Sequence, residues 1–126
     1  MIRRRPLRLS ITALYFGLCC YLFLLPGDAL PKENWLDRIF FDKWVHIGLF
    51  GLLALLCCWC LQNVGPRAGR ILLAALCCYG MLVEVVQGLW VPHRSFDLWD
   101  FVADAAGAAA GLWLWKRFCR RREADQ

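Results

Sequence analysis

Four long apolar stretches constrain this chain more than any other feature of its sequence. A helix that crosses a bilayer takes about 20 mostly apolar residues at ~1.5 Å each, and residues 7–25, 44–61, 71–91 and 98–115 approach that length. Breakers separate them: Pro26, Gly27 and Pro31 after the first, Gly65, Pro66 and Gly69 after the second, and Pro92 after the third. Because 60% of the residues are hydrophobic and 20% charged, a soluble enzyme domain and a disordered chain are both excluded. The expected fold is all-α: a polytopic membrane protein with one domain over residues 1–126, built as a four-transmembrane-helix bundle. In the first loop Trp35, Leu36, Ile39 and Phe40 recur at helical spacing, which predicts a short interfacial helix between helices one and two.

Lysine and arginine are retained on the cytoplasmic side of membrane proteins. Arg3, Arg4, Arg5 and Arg8, then Arg67 and Arg70, then Lys116, Arg117, Arg120, Arg121 and Arg122 fall on one side, against Lys32, Arg38, Lys43 and Arg94 on the other. Both termini are therefore expected in the cytoplasm, with the chain in a bacterial inner membrane. The net charge of +5 reads as a topology signal, and no nucleic acid is expected as partner. The first apolar stretch is long for a signal peptide and is expected to remain.

Of the eight cysteines, Cys19, Cys20, Cys57, Cys58, Cys60, Cys77 and Cys78 fall inside the spans and Cys119 in the tail, so no disulfide framework is expected. Cys57-x-x-Cys60, level with Cys77 and Cys78, has a spacing open to thiolate metal binding, but cysteine at helix contacts more simply acts as a small apolar residue.

Polar residues at membrane depth cost several kcal/mol, roughly 2.5–3.5 on an insertion scale, and face the protein interior with a partner. Glu84 lies about 10 Å below the outer boundary and shares a helix face with Gln87. Asp97, Asp100 and Asp104 are separated by three and four residues, so they form one stripe on helix four, which continues into Gly107 and Gly111. Those glycines allow close approach of another helix. Helix two adds His46, with Asp42 and Lys43 just before it, and the loop adds His93 and Arg94. Together these residues predict a polar cup near the outer surface, suited to the head of an amphiphile whose tail stays in the bilayer. Blander roles compete: Asp42, Ser95 or Asp97 can cap a helix, and Glu84, His46, Arg94 and Asp104 can form a buried network that only fixes packing. Trp35, Trp44, Trp90, Trp99, Trp113 and Trp115 read as interfacial anchors.

The pattern Asp42-Lys43-x-x-His46-x-x-x-Phe50, Glu84-x-x-Gln87, then Arg94, Asp100, Gly107 and Gly111 resembles the VanZ-like family of bacterial membrane proteins over most of the chain. The resemblance implies a multi-pass protein of the cell envelope, with a link through the family's named member to resistance to the glycopeptide teicoplanin. One departure is Asp104, where the family usually has asparagine.

Joined to the residues, this gives an expectation of binding or modifying the polar head of an envelope lipid or a lipid-linked cell-wall precursor. His46, Glu84, Arg94 and Asp100 are the candidates for chemistry: Arg94 to hold an anion, Glu84 as base or proton carrier, His46 to orient or relay the proton. Asp42, Lys43, Gln87, His93, Asp97 and Asp104 are the candidates for binding the head. No nucleophile is evident, and the sequence specifies no cofactor. A metal version would use His46, Glu84, Asp97 and Asp100, but helix-spaced carboxylates without a paired-histidine motif argue weakly for it, so no metal ligand is assigned. The competing expectations are a non-catalytic membrane protein that binds a partner, and a small proton-coupled transporter that would need to oligomerise.

Overall fold

The computed structural model describes residues 4–26, 41–94 and 96–124. The described residues form four helices, α1 (Arg4–Phe23), α2 (Phe41–Leu61), α3 (Pro66–Trp90) and α4 (Leu98–Ala124), and contain no strand. The expected interfacial helix at residues 35–40 lies outside the described residues.

Local chemistry explains the helix ends. Pro66 occupies the first turn of α3, where its fixed φ suits the helix and its missing N–H would have had no partner. It starts a helix that the apolar pattern alone would begin at residue 71. Helix α4 runs past residue 115 because the lysine, arginines, glutamate and alanine that follow are strong helix formers. At the end of α2, Gln62 takes a left-handed φ of 64° and its N–H bonds to the Cys58 carbonyl at 2.7 Å, a helix stop made without glycine.

The helices run alternately up and down. At one end, Arg8 Nη1 donates to the Trp59 carbonyl at 3.4 Å, and Gly69 lies beside the Lys116 ammonium. At the other, Lys43 of α2 reaches Asp97 before α4, and Gln87 of α3 reaches the last turn of α1. The start of α1 and the end of α4 therefore share a side, and Arg8, Arg67, Arg70 and Lys116 gather on it.

Helices α1, α2 and α3 are long and apolar enough to cross a membrane. Helix α4 falls short by composition because it carries Asp100, Asp104 and a basic end, yet both carboxylates are buried in the bundle. The side chains it leaves exposed include Leu98, Trp99, Val102 and Trp113.

Between apolar helices in lipid, association rests on close packing. The most extensive contact, α2 with α4, follows that rule. A Cβ on Gly107 would overlap the Ile47 carbonyl, and one on Gly111 would lie 2.5 Å from the Gly51 carbonyl oxygen. Only glycine lets the two backbones meet there. Against this seam pack Phe50, Leu53, Ala54, Leu76, Val83 and Ala108. Phe23 from α1 closes the cluster, its ring 5.8 Å from that of Phe50, while Phe50 stacks on Tyr79 at 5.5 Å.

Candidate functional site

Glu84 of α3, His46 of α2 and Asp104 of α4 meet at the top of this core. Each is buried, with exposures of 0%, 3% and 0%. His46 Nδ1 and Asp104 Oδ1 are 2.6 Å apart, a short hydrogen-bond contact. One ligand-type atom from each of the three residues lies within 4.8 Å of the others. Glu84 Oε2 accepts the Asp97 backbone N–H at 3.2 Å, tying α3 to the entry of α4. Its other oxygen, Oε1, and Asp104 Oδ2 are enclosed and have no hydrogen-bond partner.

Space for Asp104 comes from α3. Gly80 stands one turn before Glu84 on the same face, and a Cβ there would meet Asp104 Oδ2 at 3.0 Å. Below the three polar residues lie aromatic rings, with Phe23 and His46 at a centroid separation of 5.0 Å. The floor of the site is therefore apolar.

Nearer the surface, Lys43 Nζ bridges two carboxylates, Asp97 Oδ2 at 2.7 Å and Asp100 Oδ1 at 3.0 Å. Asp100 in turn lies 3.8 Å from His46 Nε2, which links the outer ion pairs to the buried group. Asp97 also caps α4, its Oδ1 accepting the Trp99 N–H at 2.9 Å. The Lys43 ammonium hydrogen-bonded to Asp97 holds that carboxyl below its ordinary value, and the Trp99 N–H acts in the same direction.

The remaining expected site residues are placed differently. Gln87 is buried, and its Nε2 donates 2.8 Å to the Phe23 carbonyl at the end of α1. Arg94 turns to the same helix end, with Nε donating to Leu25 O at 3.1 Å and Nη2 to Leu22 O at 3.5 Å. Helix C-termini leave carbonyls without internal partners and carry partial negative charge. Gln87 and Arg94 together satisfy that end of α1. His93 is exposed in a turn closed by the Arg94 N–H to the Val91 carbonyl at 3.4 Å, with Pro92 second and His93 third at a φ of 59°. Proline followed by a positive φ is the pattern of a type II turn. The side chain of Asp42, and Ser95 altogether, lie outside the described residues.

The cysteines make separate contacts: Cys60 Sγ with Thr12 Oγ1 at 3.0 Å and Cys20 Sγ with Tyr79 Oη at 3.2 Å. Among the described residues, the only group arranged to hold an ion is His46, Glu84 and Asp104. The metal version weighed from sequence had Asp97 and Asp100 in place of Asp104.

Comparison with known families gives a match to VanZ/LLP1 over residues 11–120. The chain belongs to the VanZ/LLP1 family. A similar protein is "Uncharacterized protein C11E3.10" of Schizosaccharomyces pombe, 27% identical over 121 residues, which covers 96% of this chain and 68% of the relative. No solved structure matches the chain. Within this VanZ/LLP1 chain, the residue that departs from the resemblance, Asp104, is the one that His46 contacts most closely. Sequence reading did not find Gly80. Its signal was a small residue four positions before an intramembrane glutamate, on the face that must receive a partner.

Proposed function

We propose that this membrane protein binds the polar head of a membrane lipid at the Lys43 end of the bundle, with the lipid tail lying along α2 and α4. The observation that carries this reading is a groove of about 730 Å³ between those helices, walled by Trp44, Ile47, Val102 and Ala106, with Lys43 and Asp97 at its mouth. The walls suit an acyl chain. A mouth that presents both an ammonium and carboxylates suits a head bearing both a phosphate and an amine. Binding is the part this geometry favours; the buried His46, Glu84 and Asp104 are out of reach of a head at the mouth unless the helices part.

A lipid-linked cell-wall precursor remains the version of this ligand that would explain a teicoplanin link. The yeast relative favours instead a lipid found in bacterial and fungal membranes alike. The basic residues gathered at the opposite end support cytoplasmic termini and an outward mouth. A cysteine placed at Arg67 on a cysteine-free background should react only from the cytoplasmic side.

Native mass spectrometry of gently extracted protein tests the lipid reading. Wild type should carry a head-group class enriched over the surrounding membrane, and both Lys43→Met and the groove-filling Ala106→Trp should lose it while staying folded. Lipid in bulk proportions on wild type would refute the proposal. The second reading, a non-catalytic membrane protein whose polar network only fixes packing, draws support from the commitment of Gln87 and Arg94 to the end of α1. It predicts that bulk result.

A further inference from the structure

We infer that His46, Glu84 and Asp104 hold a divalent transition-metal ion of the zinc type, at a site buried between α2, α3 and α4. Three observations carry the inference independently of any bound lipid. First, three ligand-type side chains from three helices converge within 4.8 Å, all of them buried. Second, Glu84 Oε1 and Asp104 Oδ2 are enclosed carboxylate oxygens with no hydrogen-bond partner. Buried polar atoms are nearly always satisfied, so an unsatisfied pair of carboxylate oxygens calls for a partner, which an ion shared with His46 would supply. Third, Lys43 is engaged at the mouth with Asp97 and Asp100, on the outer side of the cluster.

The donor set selects the ion. One imidazole nitrogen with two carboxylates suits zinc and its neighbours, whereas calcium and magnesium take oxygen ligands alone. Ligands of such an ion sit about 2.0–2.2 Å from it, so adjacent ligand atoms are about 3–3.5 Å apart. His46 Nδ1 and Asp104 Oδ1 are now 2.6 Å apart, a separation that one shared proton maintains. An ion would take the place of that proton, which leaves to solvent; this pair would open by about 0.5 Å, Glu84 would close from α3, and Glu84 Oε1 and Asp104 Oδ2 would gain the ion as their partner. Asp100, 3.8 Å from the other nitrogen of His46, stands where a second-layer carboxylate orients a metal-bound imidazole. Such an ion would join three helices at one point.

The test uses the full chain in mild detergent, with zinc chloride as probe and magnesium chloride as control. After loading and desalting, plasma mass spectrometry should find one zinc per chain. Asp104→Asn keeps an acceptor for His46 and nearly the same shape, so it should stay folded yet retain at least about tenfold less zinc. Glu84→Gln should behave alike. Zinc, and not magnesium, should raise the unfolding temperature of wild type and leave Asp104→Asn unmoved. The groove variant Ala106→Trp should keep its zinc, which separates this result from the fate of the lipid reading. If either site variant fails to fold, cobalt-loaded wild type decides: absorption from nitrogen and oxygen ligands supports the site, and thiolate charge-transfer bands overturn it in favour of the cysteines. Wild type without retained zinc would show that the cluster holds only protons, and undiminished zinc in the Asp104→Asn, Glu84→Gln double variant would place the ion elsewhere.

Discussion

Replacing Gly107 by alanine tests whether backbone contact between α2 and α4 sets the geometry of the polar cluster. The new Cβ would overlap the Ile47 carbonyl oxygen and lie 2.9 Å from Ile47 Cα, where ordinary contact begins at 3.4 Å. Both obstacles are backbone, so neither can rotate away, and the helices must part by about 1 Å. Overpacking of this kind costs about 1–3 kcal/mol, and parting the seam forfeits further dispersion, so about 3 kcal/mol is a fair total. Alanine's better helix propensity returns about 0.5–1 kcal/mol, leaving a net loss of about 2. Gly48, on α2, has nothing within 4 Å of the place its methyl would take, so Gly48→Ala should gain that propensity without the clash. The two variants should therefore differ by about 3 kcal/mol. Thermal unfolding in one detergent at one scan rate ranks them, since irreversible unfolding makes absolute values rate-dependent. Asp104 lies one turn before Gly107, so the same parting should stretch its 2.6 Å contact with His46 and shift the imidazole nitrogen resonances. If Gly107→Ala melts with or above Gly48→Ala and leaves those resonances in place, close approach does not set the site.

Gln87→Leu removes the donor to the Phe23 carbonyl and should cost about 1–3 kcal/mol, read as earlier thermal unfolding; a melt at the wild-type temperature would show that this bond does not hold α1. Asp97, with its folded value lowered by Lys43, contributes stability that is present above the ordinary carboxylate range and lost as pH falls through the folded value. Lys43→Met should raise the Asp97 titration, followed by carbon NMR of its carboxyl, and an unmoved titration would remove Lys43 as the cause. His93→Gly should relieve the positive φ by about 1 kcal/mol and keep or raise the unfolding temperature, while a lower one would mean the imidazole itself supports the turn.

Helix existence was legible because apolar runs of span length leave little choice of structure, and the depths of Glu84 and Asp104 followed from the helical rise. Their convergence with His46 was open to the same arithmetic. The ends were less legible. Pro66 read as a breaker when it starts α3, and the basic residues after Trp115 read as the end of a span when they continue α4. Arg94 was only partly legible for a physical reason: its partners include the carbonyls of Leu22 and Leu25, and backbone groups carry no residue-type signal. Asp97 and Asp100, the carboxylates that follow it in the chain, are bridged by Lys43.

The carbonyls at the end of α1 also bear on how the protein is made. Their partners, Gln87 and Arg94, stand 64 and 69 residues later in the chain than the carbonyls of Phe23 and Leu25. During synthesis the partners of those carbonyls therefore follow long after α1, while its last turn can already pack Phe23 against His46 and Phe50 of the second helix. Side chains along α1 can dock on α2 as soon as that helix is made, but the carbonyls at the end of α1 are capped only when α3 and the turn after it are in place.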